Sequence, residues 1–279
     1  MKKKNIFIIF ETKIEIIYTD GLLYKARLNR IFSDFKDKSA IKYRKIVKLQ
    51  VGCNKIIINK EGKSLVLTDV MMTDIYPIAF SVIYDAAKEK NFWGIHASAV
   101  KKGKKVFLIC GGFGVGKSTL ALAFERRGWK ILSTDQTIIS EKNGQIQIIR
   151  GSKYMKFNDN VYWTKSIEQK PYEVSGVLLV YGLAKEGRTD ICKIKNGIPR
   201  LLWERCVWPW NTLICRYGLT NIYEKENNLQ HIIAKLNNVQ TLTYSIRGDA
   251  EMIVNSWANR VKNIVNILEE EEKNDKESL

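Results

Sequence analysis

The sequence lacks the cysteine patterns that define disulfide-rich or zinc-binding proteins. Its five cysteines are odd in number and widely spaced, and no two of them form a C-x-x-C pair. This pattern argues against a disulfide framework and a structural zinc site, and it favours a reducing compartment. We therefore expect a cytoplasmic protein with free thiols, in which Cys110 is a small buried apolar residue.

Long apolar runs are also missing. No segment approaches the roughly 18 uncharged apolar residues of a membrane span, so no span is predicted. The first residues, MKKKNIFIIF, combine a basic start with a short apolar run. Glu11 and Lys13 follow this run at once, and no small-residue cleavage site comes after it. The start is therefore not expected to be a signal peptide.

Signatures of nucleic-acid binding are absent in spite of a net charge of +17. The lysines are scattered, and the chain has no helix-turn-helix pattern, aromatic RNA-binding signature or arginine-rich arm. The charge fits a bias toward Lys, Ile and Asn, together with attraction of an anionic nucleotide and an acidic or phosphorylated partner. Nucleic acid is not an expected partner, and residues 269–279 are expected to form an acidic, solvated tail.

What the sequence does contain is a phosphate-binding motif at residues 111–118. The letters GGFGVGKS satisfy G-x-x-x-x-G-K-[ST] in full. The motif follows KVFLIC, an apolar run typical of a buried parallel strand, and precedes a helix predicted over Thr119–Arg127 with Gly128 as its stop. Strand, glycine loop and helix N-terminus form the context in which backbone N–H groups surround phosphate oxygens. We predict a nucleotide-binding site.

The residue types of the loop predict individual roles. Lys117 is expected to reach the β- and γ-phosphates, and the Ser118 hydroxyl to ligate Mg²⁺. ATP and Mg²⁺ are therefore the predicted substrate and cofactor. The residues expected to contact the nucleotide are Gly111, Gly112, Phe113, Gly114, Val115, Gly116, Lys117, Ser118 and Thr119.

The segment before the motif predicts a β-rich region that ends in a connecting helix. Short β-rich runs separated by turn signals fill residues 5 to 70. A helix is expected over Asp74–Glu89, capped by Asp69 or Thr73, with Pro77 in its first turn.

The rest of the chain predicts an α/β domain. Strands are expected at VSGVLLVYGL and QTLTYSIR, and an amphipathic closing helix at 250–268. The predicted organisation is a β-rich region over 1–92, a nucleotide-binding domain over 93–268 and the tail.

Four short segments within residues 95–140 form a characteristic block. They are HASAV at 96–100, the glycine loop, RRG at 126–128 and a strand that ends in an acid at Asp135. This block resembles the HPr kinase/phosphorylase-like superfamily. Within that superfamily it most resembles the kinases of lasso-peptide and other ribosomal-peptide pathways. GSKYMKF at 151–157 stands where those relatives carry G-x-P-x-x-K-L. The resemblance implies a P-loop domain of the PEP-carboxykinase/HPr-kinase type and Mg-assisted transfer of phosphate from ATP to a hydroxyl, on serine of a peptide or protein.

The chain departs from these relatives at an acid pair. Where they place two consecutive aspartates, this sequence has Thr134 and Asp135. The resemblance gives Asp135 the role of organising Mg²⁺, and it puts Thr134 in the place of the catalytic base. Threonine cannot usefully accept a proton at neutral pH. Either another residue takes that role, or transfer is slow, or the protein only binds nucleotide.

His96 is the predicted substitute for the missing base. It is one of two histidines and ends the strand that is expected to neighbour the loop. An imidazole changes charge near neutral pH, so it can accept a proton or stabilise phosphate charge. The alternative is a core histidine hydrogen-bonded to backbone. The predicted catalytic residues are thus His96, Asp135 and Lys117, and the predicted metal ligands are Ser118 and Asp135.

Further candidates lie downstream of the block. Asp159 is either a second metal ligand or a turn residue, and Lys156 and Arg247 are either phosphate partners or chance members of a basic sequence. A dense group of tryptophans predicts core packing or a peptide-docking surface. Its members are Trp203, Trp208 and Trp210.

Several functions stay open on the sequence alone. The leading hypothesis is a kinase acting on a peptide or protein, with a small-molecule kinase as its variant; a homo-oligomer is compatible with either. The second is a non-catalytic nucleotide sensor or scaffold descended from such kinases, for which Thr134 is the argument. The third, a nucleic-acid-stimulated ATPase, is favoured by charge alone.

Overall fold

The computed structural model of this protein describes residues 3–19, 22–37, 42–157, 160–163, 170–184, 190–194, 206 and 242–249. Within these ranges it is a mixed α/β protein with three helices and sixteen strands. The described residues form two compact units, with the break between Gly94 and Ile95. None of the helices in these ranges is long and apolar enough to cross a membrane.

The first unit is built on one five-stranded sheet. Its strands, in sheet order, are β1 (Lys3–Ile9), β2 (Thr12–Tyr18), β3 (Lys45–Val51), β4 (Lys55–Lys60) and β5 (Lys63–Thr68). Along β3 every second residue from Val47 to Val51 is buried while the residues between them are exposed, so one face of the sheet carries the core. The predicted β-rich runs of this region are confirmed.

A helix that the sequence analysis did not predict connects two of these strands. β2 and β3 pair in parallel, and parallel neighbours need a crossover connection. The crossover contains α1 (Leu22–Phe35), whose buried side chains recur at helical spacing. They are Tyr24, Leu28, Ile31, Phe32 and Phe35.

The second helix of this unit, α2 (Ile75–Lys88), matches the prediction except at its cap. Pro77 lies in the first turn, as expected. The residue that precedes the helix is Asp74, so the predicted caps Asp69 and Thr73 are wrong. The Asp74 carboxylate accepts a hydrogen bond from the Met71 N–H at 2.8 Å and makes no hydrogen bond to the helix.

The second unit contains a nine-stranded sheet. Its strands are β6 (Trp93–Lys102), β7 (Lys105–Gly111), β8 (Lys130–Ser133), β9 (Gln136–Lys142), β10 (Gln145–Gly151), β13 (Tyr172–Glu173), β14 (Gly176–Ala184), β15 (Asp190–Ile194) and β16 (Leu242–Asp249). The order is β13-β10-β9-β6-β7-β14-β16-β15, and β8 pairs with β6. A separate hairpin consists of β11 (Tyr154–Phe157) and β12 (Asn160–Trp163).

Strand β7 is fixed in the middle of this sheet. It pairs with β6 on one side and in parallel with β14 on the other. Its side chains pack against α3 (Lys117–Arg126) and against Trp129, which follows that helix. Phe107 stacks on Trp129 with ring centroids 5.3 Å apart, and Phe124 meets Trp129 edge-on at 4.9 Å. The strand that precedes the loop and the helix that follows it are therefore anchored in the same buried apolar cluster.

The predicted strand, loop and helix around the glycine motif are confirmed. The helix starts at Lys117, two residues earlier than predicted. It ends ahead of Gly128, whose φ of +81° is the left-handed conformation of a helix stop. The expected strands downstream are confirmed as β14 and β16.

Some predictions fall outside the described residues. They concern Asp159, the tryptophan group, the closing helix at 250–268 and the acidic tail. The predicted domain boundary at 92/93 and the assignment of 93–268 to a P-loop domain remain predictions.

Candidate active site

The glycines of the loop have different local requirements. A side chain on Gly111 would meet the Val180 carbonyl oxygen of the neighbouring strand β14 at 2.5 Å, so this position demands the close approach that only glycine permits. Gly114 and Gly116 have φ of +73° and +94°, which other residues rarely adopt. Open space surrounds the position of a side chain on Gly114. The loop thus presents backbone on its accessible side, as a phosphate cradle requires.

The N-terminus of α3 adds positive potential at the end of the loop. Gly116 is its N-cap residue and offers no side chain to satisfy the first N–H groups of the helix. The first turn also contains no acid. Unsatisfied N–H groups and the helix dipole together favour an anion at this end, so the residues present fit a bound phosphate group.

Lys117 is buried beneath the loop that it is predicted to serve. Its Nζ donates hydrogen bonds to the carbonyl oxygens of Gly111 at 3.1 Å and Gly112 at 2.6 Å. Burial lowers the pKa of Lys117, because the ammonium is poorly solvated there. The neighbouring side chains of Cys206, Asp135 and Cys110 act in the opposite direction on this pKa without reversing the effect of burial. An anionic ligand would therefore compete well for this ammonium.

Two cysteines lie directly behind the loop. The backbone N–H of Gly111 donates to the Cys206 thiol at 2.9 Å, and Cys110 and Cys206 hydrogen-bond each other without forming a disulfide. Burial raises the pKa of Cys110. Burial would also raise that of Cys206, but the hydrogen bond from Cys110, the charge of Lys117 and the Gly111 N–H together lower it. The prediction that Cys110 is buried is confirmed.

His96 and Asp135, 39 positions apart in the sequence, form a pair. The Nε2 of His96 lies 2.9 Å from Oδ1 of Asp135, and the other carboxylate oxygen accepts a hydrogen bond from the Gln136 side chain at 3.1 Å. His96 is 5% exposed, and its ring lies against that of Phe113 with centroids 4.4 Å apart. The predicted substitute base is thus brought to the predicted metal ligand, and it orients that carboxylate.

Hydrogen bonds hold Thr134 in the interior. Its side chain is fully buried, and its hydroxyl donates to the Ser152 carbonyl oxygen at 3.0 Å. Its backbone N–H donates to the same oxygen at 2.9 Å, and the Ser98 hydroxyl donates to its carbonyl oxygen. The threonine therefore has a structural role in this turn, and its interpretation as the replacement of a catalytic base stays a prediction.

Ser152 secures the turn that presents Asp135. Its N–H donates to the Gln136 carbonyl oxygen at 2.8 Å, and its hydroxyl accepts from the Gln136 N–H at 3.0 Å. Because Ser152 also binds Thr134, both neighbours of Asp135 in the chain are tied to one residue. A second hydroxyl, that of Ser133, donates to the Gln136 carbonyl oxygen at 2.8 Å. The carboxylate is carried on a rigid support.

Sequence reasoning missed Ser152, Cys206 and the contact of Phe113 with His96. Ser152 lies in residues 151–157, which contributed to the prediction only through their resemblance to the relatives. Cys206 is 95 residues from Gly111, whose N–H donates a hydrogen bond to it. No local pattern indicates either contact. Among the other candidates, Lys156 lies in β11 and Arg247 in β16.

The predicted metal ligands suit a metal ion that arrives with a nucleotide. Among the residues that the structure describes, no group of three or more His, Cys, Asp or Glu side chains could hold a metal ion by itself. Mg²⁺ ordinarily takes one or two protein carboxylates and completes its shell with phosphate oxygens and water. Asp135 and the Ser118 hydroxyl fit that pattern.

Comparisons with known proteins give similarity at the level of structure. No family model matches the chain, and no curated protein matches its sequence. Among solved structures, the Hpr(Ser) kinase/phosphatase from Coxiella burnetii matches with a TM-score of 0.37 and 14% identity, over 67% of this chain and 96% of the other. A likeness at this level carries no argument about activity.

Proposed function

We propose that this protein is a phosphotransferase that moves the γ-phosphoryl group of ATP, with Mg²⁺, to a hydroxyl group, on serine of a peptide or protein. The observation that carries the proposal is the pair formed by His96 and Asp135 at 2.9 Å, in which His96 lies against Phe113 of the loop motif with ring centroids 4.4 Å apart. A loop that served binding alone would have no need of a proton-accepting group beside it.

The loop and the start of α3 would bind the phosphates. Lys117 would exchange its bonds to the carbonyl oxygens of Gly111 and Gly112 for bonds to the β- and γ-phosphates. Asp135 and Ser118 would hold Mg²⁺, which neutralises charge on the transferring group. The rigid hydrogen bonds around Asp135 would fix its position before substrate arrives.

The acceptor hydroxyl loses its proton as its oxygen forms the new bond to phosphorus and ADP leaves. His96 would take that proton on Nδ1, because Nε2 is already engaged with Asp135 at 2.9 Å. The carboxylate then stabilises the imidazolium. The peptide or protein nature of the acceptor rests on the resemblance of residues 95–140 to kinases of peptide pathways.

A non-catalytic nucleotide sensor is the second candidate. The burial of His96, which is 5% exposed, favours it, because an acceptor hydroxyl reaches so buried an imidazole only after the site rearranges. The two candidates differ in whether any acceptor gains phosphate.

The test is calorimetry together with transfer of labelled γ-phosphate to host peptides and metabolites. Lys117→Ala should weaken binding of ATP by about 2–3 kcal/mol, the worth of a charge-assisted bond. Lys104→Ala removes an exposed lysine from the β6–β7 turn and serves as the matched control. Unchanged affinity in Lys117→Ala would remove the loop from the proposal.

Transfer itself is tested with variants of the pair. Asp135→Asn should abolish transfer while ATP still binds, because the amide keeps the shape and loses the charge. His96→Ala should slow transfer by about 10²–10⁴-fold. Binding of ATP without transfer by the native chain to any acceptor would establish the sensor instead.

A further inference from the structure

Phe113 belongs to the phosphate loop, yet its ring contacts the proposed base. The ring centroids of Phe113 and His96 are 4.4 Å apart with an interplanar angle of 36°, within the range of aromatic contacts. Phe113 is 51% exposed and His96 only 5%. The phenylalanine side chain therefore lies between the imidazole and solvent on this side.

Glycines flank the residue that carries this ring. Phe113 stands between Gly112 and Gly114, and a side chain on Gly114 would meet no atom within 4 Å. Glycine imposes the weakest restriction on backbone conformation. The position of the ring therefore depends on its side-chain contacts, that with His96 among them, and on what holds the glycine backbone.

Lys117 holds that backbone. Its Nζ donates to the Gly112 carbonyl oxygen at 2.6 Å, one residue before Phe113. Phosphate oxygens would compete for the same ammonium, which has three donors, and a lysine that turns to phosphate releases the Gly112 carbonyl. Binding of nucleotide would thereby rearrange the segment that carries the ring, because its backbone exchanges the bond to Lys117 for contacts with phosphate.

We propose that Phe113 is a positioning residue that covers His96 and withdraws from it when the loop binds nucleotide. The inference rests on the proposed phosphotransferase function. Its consequence is an order of events in which the base becomes accessible to the acceptor only after ATP is in place.

Histidine ring resonances in NMR spectra test the proposal without any acceptor. The chain has two histidines, His96 and His231, so His231→Gln assigns both signals. Phe113→Leu should shift the His96 ring signals by removing the ring current of the phenylalanine. Addition of ATP with Mg²⁺ to the native chain should shift them in the same direction, and addition to Phe113→Leu should give a clearly smaller shift, which comes from Mg²⁺ at Asp135 alone. Phe113→Tyr keeps the ring and should respond like the native chain.

The outcomes separate this inference from the proposed function. If calorimetry detects ATP binding while the His96 signals of the native chain stay unchanged, Phe113 does not respond to nucleotide and the inference fails alone. If no ATP binds, both fail. A native response that is equally large in Phe113→Leu would also overturn the inference, because the shift would then not come from the phenylalanine ring.

Discussion

Among single residues, Thr134 has a structural role that the sequence did not indicate. Its hydroxyl is a buried donor to the Ser152 carbonyl oxygen at 3.0 Å, so an aspartate there would place a carboxylate against an oxygen that cannot donate. We predict that Thr134→Asp lowers the free energy of unfolding by about 3–5 kcal/mol, as an uncompensated buried charge does, and that it fails to raise phosphoryl transfer.

Thr134→Ser is the matched control, since it keeps the donor and should cost about 1 kcal/mol or less. Urea unfolding measures both variants. A Thr134→Asp variant of native stability that transfers phosphate faster would support the interpretation that Thr134 replaces a catalytic base.

Lys117 links the pH dependence of stability to the same site. Burial lowers its folded-state pKa below the ordinary value of 10.5. Between the folded-state and unfolded-state values the unfolded chain binds more protons, so the free energy of unfolding rises with pH across that window. Below the window the buried ammonium costs stability. We predict that the native chain becomes more stable relative to Lys117→Met as the pH rises toward 10.5.

Chemical denaturation of both chains across the alkaline range gives this difference directly. Saturating ATP should oppose the trend, because phosphate charge favours the protonated lysine. A stability difference between the two chains that is independent of pH would show that burial does not perturb Lys117.

Between elements, the approach of β10 to β8 determines where Asp135 lies. A side chain on Gly151 would collide with Ser133 and would lie 2.9 Å from the Leu132 carbonyl oxygen. We predict that Gly151→Ala displaces β8 and costs about 1–3 kcal/mol in the free energy of unfolding, the usual cost of overpacking. Because Ser133 borders the turn that carries Asp135, phosphoryl transfer should fall more than ATP binding. Native transfer in this variant would mean that the turn tolerates the shift.

Local patterns predicted the elements whose residues are neighbours in the sequence. The glycine motif indicated the order of β7, loop and α3, and short β-rich runs between turn signals indicated the strands of the first unit. α1 was missed although Leu28 and Phe32 have helical spacing, because the surrounding runs were interpreted as strands. The parallel pairing of β2 with β3, which requires such a crossover, is not visible before the sheet is known.

The candidate site was predictable only where its residues belong to a local sequence pattern. Lys117 and Asp135 follow from a motif and a resemblance, and the nearness of His96 from an expected strand pairing. The supports of these residues are distant in sequence. The hydroxyl of Ser152 and the thiol of Cys206 reach the turn and the loop only after β10 and residue 206 are in place. A hydrogen bond between such distant residues leaves no periodic trace in either segment.

At the scale of the molecule, the two units have separate cores. In the first, Leu28, Phe32, Leu49 and Phe80 are fully buried between helices and sheet. In the second, the buried cluster around Phe124 lies beneath the loop motif. Ligand binding stabilises only the structure that forms the site. We therefore expect two thermal transitions. ATP with Mg²⁺ should stabilise only the second unit, by about 2.7 kcal/mol at a hundredfold excess over Kd. Only the transition temperature of that unit should then rise.

Gly94→Ala provides the converse test of this separation. A side chain at Gly94 would collide with the ring of Tyr84 on α2, and that ring is itself packed 5.9 Å from the ring of Phe80. We predict that Gly94→Ala lowers the transition of the first unit, at a cost of about 1–3 kcal/mol, and leaves the affinity for ATP unchanged. Scanning calorimetry with and without ATP measures both effects in the full chain. A single transition whose temperature changes with both the substitution and the nucleotide would mean that the two cores unfold together. Residues far from the loop in sequence would then contribute to nucleotide affinity through the stability of the whole chain.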